Sequence, residues 1–530
     1  MHMGNDSNTK VNDISLDDLY GHLKNTDSSL LRRLNNPNIT DQDYLFCGLL
    51  YNLISSTQSI IINKVSANID SFGVDINCKN IIETICLLNY ISTVPVSDEV
   101  AKLFRFVFSF KSSEEIKSLF EKEDKNQIIY KILTTEKEKA IKIIESATSL
   151  KNEDIDSRID SLDSHFAFLK KTIEEKINFN ELLEKYPVYN EIENQAYAFF
   201  TSSNNVYFDI DSNNKLQIDA LRKKYIDIVI DYATTYVTEY NFINTNFQST
   251  SFSKDFINNP TYKNHIENVS WLNGAFEYIK DTLGNINNKK DNYSLYFYDK
   301  LNKLCIDMFF CLSLGLSEQV LNKFRVFVEM VSLDYHISNL SNEDKDNIVK
   351  GLYLLTRARI NQYLINTKQG SKFECDKELK ELFDSYYKDK YKMESYDEFK
   401  KHFIINYLYF IKQDIKSYAP LIKELVDDMT KNKKFSNDFE LLYKISCDFE
   451  STSRYKFASG HLIYDTLAQK ALKIVFDYLI ESLSFKEGKL KKENVKISLE
   501  DAINIFSDFA NNQEIIVEEN IKFIADNVKL

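Results

Sequence analysis

One segment near the carboxyl end brings two residue types of hydrolytic chemistry together. Arg454 and His461 are seven positions apart in Arg-Tyr-Lys-Phe-Ala-Ser-Gly-His. On a helix, seven steps of about 100° return almost to the same face, about 10 Å further along the axis. A phosphodiester fits between two such groups. The guanidinium would neutralise charge on the non-bridging oxygens, while the imidazole would pass a proton to or from the 2′-hydroxyl or the leaving 5′-oxygen.

A carboxylate follows one helical turn after the histidine. Asp465 would orient the imidazole of His461 and favour its protonated form. Such a site cleaves RNA without a metal, because the substrate supplies its own nucleophile. The spacing therefore predicts Arg454, His461 and Asp465 as catalytic residues, with no cofactor and no metal.

The R-x(4–6)-H spacing within a helical domain resembles the HEPN superfamily of prokaryotic toxins and antiviral nucleases. The resemblance covers about the last 110 residues of the chain. It implies a helical bundle that forms a homodimer, in which two copies of the motif face each other and form a ribonuclease site.

A structural interpretation of the same residues stays open. Arg454 has Glu450 one turn before it as an ion-pair partner, and His461 suits a half-buried position at a helix start. A second R-x6-H pair, Arg158 and His165, is interpreted as structural, because the aspartates between its two members would repel phosphate.

Other signatures of catalysis are missing from the sequence. There is no GxxxxGK[ST], GxGxxG, GxSxG or HExxH, and no two histidines fall within one helical turn of each other.

The seven cysteines are scattered and form no CxxC, which favours reduced, mostly buried thiols in a cytoplasmic protein. Arg325 and Glu329 are interpreted as an intrahelical ion pair.

Composition and charge limit the fold and the partners. With only 11 Gly and 5 Pro in 530 residues, the chain is predicted to be all-α. A net charge of −13 excludes a basic field over the whole protein that would hold nucleic acid non-specifically. The longest apolar run, Leu304–Leu316, contains Asp307 and is too short to span a bilayer, so no membrane partner is expected.

Helix boundaries follow from local signals. Thr40 with Asp43, Ser341 with Asp344 and Ser498 with Asp501 each predict a helix start. The helix that begins after Thr40 is expected to run to about Phe72 and to end at Gly73 in a left-handed conformation. 

One region departs from the helical pattern. Val206–Ile210, a polar Asp211–Asn214 turn and Lys215–Ile218 predict at most one small β-hairpin, over residues 206–218. 

Polar stretches between residues 241 and 292 indicate a domain boundary. We therefore expect two helical-bundle modules: an N-terminal module of residues 1–245, and a C-terminal domain of residues 290–530 that carries the R-x6-H segment. No repeat of fixed period is visible.

Two functional hypotheses remain. The first is a metal-independent endoribonuclease of a bacterial toxin or antiviral defence system, with RNA as substrate and an antitoxin as a candidate partner. The second is a non-catalytic helical scaffold or sensor that binds another protein.

Overall fold

The computed structural model describes the helical framework of the chain. The described residues are 19, 21, 23, 30, 39–65, 72–93, 131, 134–135, 138, 142, 181, 183–189, 212–239, 271–272, 274–276, 278, 292–341, 343–351, 354, 375–399, 422–432, 437–449, 461–487 and 493–527. Almost all of them lie in helices or in the turns between helices, and none lies in a strand. The predicted all-α class is confirmed.

Ten longer helices carry the fold of the described part. They are α1 (Asp41–Val65), α2 (Phe72–Thr93), α3 (Ser212–Glu239), α4 (Asn292–Ser313), α5 (Ser317–Ser338), α6 (Cys375–Leu382), α7 (Ile422–Asn432), α8 (Asn437–Phe449), α9 (His461–Glu487) and α10 (Glu493–Asn527). Helix α6 continues through a π-helical turn, Phe383–Tyr387, into Lys388–Lys390. Residues 343–351 are also helical.

Helix α5 is the central element. It packs against α1, α2, α4, α7, α8 and α9, and α10 lies along α9. Aromatic side chains fill several of these contacts: the ring of Phe324 packs edge-on against Phe439 of α8, and Phe327 packs edge-on against Tyr478 of α9. Because α5 is surrounded, polar groups on it need partners inside the protein.

Two predicted helix starts are confirmed by their caps. The backbone N–H of Asp43 donates to Thr40 Oγ1 over 3.1 Å, and that of Asp344 donates to Ser341 Oγ over 3.1 Å. In each case the hydroxyl satisfies one of the amide groups that the first helical turn leaves without a partner. The prediction at Ser498 is wrong, because this residue lies inside α10.

The left-handed cap predicted at Gly73 is also wrong, because Gly73 is a helical residue of α2. Helix α1 is described as far as Val65, and residues 66–71 lie outside the described residues. The left-handed glycine of the described residues is Gly315, with φ of +75°, between α4 and α5. There the Leu316 amide bonds back to the Cys311 carbonyl over 2.8 Å and closes the turn.

The predicted hairpin is contradicted over residues 212–218, which form the first two turns of α3. Residues 206–211 lie outside the described residues. The polar Ser212–Asn214 run was interpreted as a turn, but serine and asparagine also favour helix starts. The following apolar residues bury one helical face, since Ile226, Val229 and Ala233 are fully enclosed.

The division into modules of residues 1–245 and 290–530 stays a prediction. The described helices of the two modules are in direct contact, because α1 and α2 pack against α4 and α5.

Within the described residues, one helix, α1, is long and apolar enough to cross a membrane, but 89% of its most apolar window is buried in the bundle. Burial of this kind is also typical of a core helix.

Candidate functional site

A buried cluster of polar side chains lies where α1, α2, α4 and α5 meet. Six residues form it: Ser59 and Asn63 on α1, Asn77 on α2, Asp307 and Cys311 on α4, and Lys323 on α5. All six are 2% exposed or less. Charged groups are almost never enclosed to this degree without partners, and both charges of this cluster have them.

Helix geometry places these side chains opposite one another. Asp307 and Cys311 are four residues apart and share one face of α4. Asp307 lies six residues before the end of α4 and Lys323 six residues after the start of α5. Because only residues 314–316 separate the two antiparallel helices, the short turn brings Asp307 and Lys323 level with each other.

An ion pair is the centre of the cluster. The Nζ atom of Lys323 lies 3.3 Å from Oδ1 of Asp307, and the two side chains are 1% and 0% exposed. Asn63 Nδ2 donates to the same carboxylate oxygen over 2.7 Å. Lys323 also donates to Ser59 Oγ over 2.8 Å. The buried charges are therefore both paired and hydrogen-bonded, as a stable buried ion pair requires.

The positions of the donors indicate which group carries each proton. Ser59 Oγ accepts from Lys323 and from Asn77 Nδ2, the latter over 2.9 Å. Both lone pairs of the hydroxyl are then occupied, so its proton points to Cys311 Sγ, 3.3 Å away. The three protons of the Lys323 ammonium have Ser59, Cys311 and Asp307 as acceptors. The thiol of Cys311 in turn donates to Asp307 over 3.6 Å.

The pKa shifts of Cys311 and Lys323 agree with this assignment of protons. Burial raises the pKa of the Cys311 thiol to about 11, and the Asp307 carboxylate adds to that rise while Lys323 opposes it. Burial by itself lowers the pKa of Lys323, but the attraction of Asp307 and Cys311 together with their hydrogen bonds outweighs it, and the pKa is raised. The cluster thus holds a protonated lysine and a neutral thiol.

Glycine at position 73 allows α2 to approach the ion pair closely. A Cβ atom on Gly73 would lie 2.3 Å from Oδ2 of Asp307 and 2.5 Å from Cε of Lys323. The Asp307 carboxylate therefore lies beside the first turn of α2, where the positive end of the helix dipole stabilises an anion. The lack of a side chain at this position is a packing requirement.

Further polar contacts extend the cluster along α1 and α5. Gln319 Nε2 donates to Ser55 Oγ over 3.0 Å, and Tyr51 donates to Glu318 Oε1 over 3.3 Å. The result is a polar seam inside an otherwise apolar bundle.

The chemistry of the buried cluster is structural. A neutral thiol and a protonated amine are both poor nucleophiles, and a fully enclosed group has no contact with a substrate. Among the described residues no group of three or more His, Cys, Asp and Glu could hold a metal ion. The cluster instead fixes the register of four helices, because a shift of α4 or α5 would leave a charge unpaired and a shift of α1 or α2 would break the hydrogen bonds that satisfy it.

The residues predicted for catalysis lie at a different place. Helix α9 begins at His461, whose side chain is outside the described part, and Arg454 lies outside the described residues altogether. Asp465 is half-buried, and its Oδ1 accepts a hydrogen bond from the hydroxyl of Ser317, the first residue of α5. The proximity of Arg454 and His461 stays a prediction, as does their catalytic role.

The other sequence-based interpretations have mixed outcomes. The Arg325–Glu329 ion pair is confirmed, with Nε 2.8 Å from Oε1. Five of the cysteines, Cys47, Cys78, Cys86, Cys305 and Cys311, are free and buried, as expected of reduced core thiols. The second R-x6-H pair, Arg158 and His165, and the proposed partner Glu450 lie outside the described residues.

Sequence reasoning did not find the buried cluster. One of its members, Asp307, was noted as a charge within the apolar Leu304–Leu316 run. A second signal was available in Ser55–Ser59, five consecutive polar residues inside an apolar helix. Neither signal names a partner, since Lys323 and Asn63 meet Asp307 only in the tertiary structure.

Comparison of the chain with protein-family models, with curated proteins and with solved structures gives no match. Arguments about function therefore rest on the residues of this chain.

Proposed function

We propose that the chain is a metal-independent endoribonuclease of a bacterial toxin or antiviral defence system, acting in the cytoplasm. The observation that supports this proposal is the seven-residue spacing of Arg454 and His461, and His461 is the first described residue of α9. Arg454 would stabilise the phosphorane, and His461 would act as the general acid or base.

Basic residues near His461 suit a phosphate. Arg454 and Lys456 supply positive charge within seven residues of it, in a chain of net charge −13. A phosphodiester beside His461 would meet these side chains.

Asp465 supports the site from within α9. Its Oδ1 is engaged by Ser317, so an orienting contact to the His461 imidazole would come from Oδ2. Ser317 begins the helix that carries Lys323. The proposed site is thereby linked to the most rigidly specified part of the bundle, which suits a group that must be held in one orientation.

The proposed reaction is an internal transesterification. His461 accepts the proton of the 2′-hydroxyl, the 2′-oxygen bonds to phosphorus, and the bond to the 5′-oxygen breaks as that oxygen takes up a proton. The products are a 2′,3′-cyclic phosphate and a 5′-hydroxyl. Arg454 neutralises the additional negative charge on the non-bridging oxygens in the transition state.

The test uses the full chain and an end-labelled RNA in excess EDTA. The wild type is expected to produce 2′,3′-cyclic phosphate ends and to leave DNA of the same sequence intact. His461→Ala and Arg454→Ala are each expected to slow cleavage by about a hundredfold or more with unchanged helicity and melting. His165→Ala, in the second R-x6-H pair, is the matched control and is expected to cleave normally. Absence of cleavage by the wild type, or equal cleavage by His461→Ala, contradicts the proposal.

A second candidate is a scaffold or sensor that binds another protein, and an exposed aromatic face favours it. Trp271 and Tyr278 are 65% and 56% exposed and lie seven residues apart in a helical stretch, hence on one face. The opposite face is buried through Leu272 and Phe276, and Phe276 packs against Phe506 of α10. Exposed aromatic side chains are enriched at protein interfaces.

Trp271 is the single tryptophan of the chain, so its fluorescence reports directly on this face. Under the scaffold hypothesis, a candidate partner protein shifts the emission to shorter wavelength and protects it from quenching. A Tyr278→Ala variant is expected to weaken that binding, while RNA cleavage is absent from every variant. Unchanged emission with every candidate partner contradicts the scaffold hypothesis.

A further inference from the structure

The α1–α2 and α4–α5 helix pairs are alike in construction. In each pair a long apolar helix is followed by a second helix, α2 or α5. The second helix of each pair carries a basic and an acidic residue four positions apart. Lys79 Nζ lies 3.8 Å from Glu83 Oε1 in α2, and Arg325 Nε lies 2.8 Å from Glu329 Oε1 in α5.

Helices α2 and α5 correspond residue by residue. Arg325 is 246 positions after Lys79, and the same offset relates five pairs of identical residues: Val74 and Val320, Glu83 and Glu329, Leu87 and Leu333, Ile91 and Ile337, Ser92 and Ser338. Burial follows the same register. Every position of 78–87 has the burial class of its counterpart in 324–333, and in both helices the ion-pair residues are the half-buried exceptions. The four ion-pair side chains are 14–19% exposed.

Further along each half, a second pair of segments corresponds. Glu184-Lys185-Tyr186 matches Asp389-Lys390-Tyr391, and in both places the tyrosine follows a helix end. The Tyr186 amide bonds to the Leu183 carbonyl over 2.9 Å, and the Tyr391 amide bonds to the Tyr387 carbonyl over 3.0 Å. A helical tyrosine follows each turn, Tyr189 in the first half and Tyr396 in the second.

A third match is visible in the sequence. Phe-Gln-Ser-Thr-Ser at 247–251 corresponds to Phe-Glu-Ser-Thr-Ser at 449–453. The three matches occur in the same order in both halves, but at unequal spacing. An unequal spacing explains why a search for a fixed period misses the relationship.

The two similar helix pairs pack against each other. Helices α1 and α2 each contact both α4 and α5. Across this interface lie the ion-pair cluster and the contact of Asn322 Nδ2 with Asn77 Oδ1 at 3.5 Å. We infer that the chain is an internal duplication, in which the N-terminal copy occupies the α4–α5 face that a second molecule would otherwise cover.

This interface leaves no room for a second chain on the same face. Lys323, Asp307 and Ser59 are all 1% exposed or less, and each is already satisfied by partners within the chain. One chain thus supplies both copies of this interface, and we expect a monomer in solution in place of the homodimer that the HEPN-like resemblance implies.

A single substitution tests this pairing. Ser59 Oγ lies 3.3 Å from Cys311 Sγ, so Ser59→Cys places a second thiol within reach of a disulfide between the two copies. When the urea-unfolded chain is refolded in a glutathione redox buffer, which reaches both thiols before they are enclosed, the denatured, non-reduced chain is expected to retain the 62.0 kDa mass of one molecule, and peptide mapping is expected to link positions 59 and 311. The double variant Ser59→Cys/Cys311→Ser is the control and is expected to form no such link.

Other outcomes overturn the inference. A link between two chains, seen as twice the monomer mass, shows that the copies pair between molecules, and absence of any link shows that α1 and α4 are not adjacent. The wild-type chain gives an independent measurement, because it does not depend on how well the variant folds. Sedimentation equilibrium is expected to give 62.0 kDa at every concentration, and a stable wild-type dimer contradicts the inference.

Discussion

The ammonium group of Lys323 lies 3.3 Å from the carboxylate of Asp307 in a part of the bundle where neither side chain meets solvent. Removing two charges from water costs several kcal/mol for each ion, and mutual attraction recovers this only with good geometry and further hydrogen bonds. Here Ser59, Asn63 and Cys311 supply those bonds. Such a pair specifies the register in which the helices pack. Removal of one of its charges lowers the free energy of unfolding strongly.

Removal of one charge from the pair is expected to be severely destabilising. Lys323→Met leaves the Asp307 carboxylate buried without its counter-ion, so the free energy of unfolding is expected to fall by about 3–5 kcal/mol. Urea unfolding followed by circular dichroism measures the change. The double variant Lys323→Met/Asp307→Asn removes both charges and is expected to be more stable than Lys323→Met alone. Additive effects of the two substitutions would show that the charges do not interact.

Gly73→Ala is expected to destabilise the protein, because the new methyl group would overlap Asp307 Oδ2 and Lys323 Cε. Overpacking of this kind costs about 1–3 kcal/mol. The matched control is Gly274→Ala, also in a helical stretch, where a Cβ atom has nothing within 4 Å. That change is expected to be neutral or to stabilise by up to about 1 kcal/mol, since alanine favours helix. A lower melting temperature for Gly274→Ala than for Gly73→Ala would contradict the packing argument.

The buried thiol predicts a loss of stability at alkaline pH. Burial raises the pKa of Cys311 from 9.0 to about 11 in the folded state. A raised pKa means that the contribution to stability is complete below pH 9 and is lost as the pH rises towards 11. Cys311→Ser removes the titrating group and keeps a hydroxyl in its place, so the free energy of unfolding should decline less steeply over this range. Parallel declines in the two proteins would exclude Cys311 as a source of the pH dependence.

A carboxylate at the start of helix 343–351 predicts a loss of stability at acid pH. Burial alone would raise the pKa of Asp344, but hydrogen bonds from Tyr386 and Lys390 outweigh it and hold the pKa below 3.8. A lowered pKa contributes stability above pH 3.8, and this is lost as the pH falls through the folded-state value. Asp344→Asn is therefore expected to flatten the acid limb of a plot of unfolding free energy against pH. An acid limb that keeps the wild-type slope in Asp344→Asn would contradict this prediction.

The helical class could be predicted from the sequence because it depends on short-range properties. Few glycines and prolines, together with the hydroxyl caps at Thr40 and Ser341, act within one or two helical turns. The same kind of reasoning failed at Ser212–Asn214, where one polar run suits both a turn and a helix start. It also failed at Gly73, whose role depends on residues more than two hundred positions away.

Among the candidate site residues, too, contacts within one helix could be predicted and contacts between distant helices could not. The pairing of Arg325 with Glu329 follows from helix geometry alone and is confirmed. The engagement of Asp465 by Ser317 joins helices that are far apart in the chain, and no local pattern indicates it.

By itself, then, the sequence determined that this protein is helical, where two of its helices begin and which neighbouring charges pair. Only the tertiary structure decided that Asp307 meets Lys323, that Gly73 must lack a side chain, and that the α1–α2 and α4–α5 helix pairs pack against each other. The physical reason is that helix formation is governed by contacts three or four residues apart. The partners of a buried charge are instead set by which helices pack together, and the hydrophobic pattern that drives that packing does not specify them.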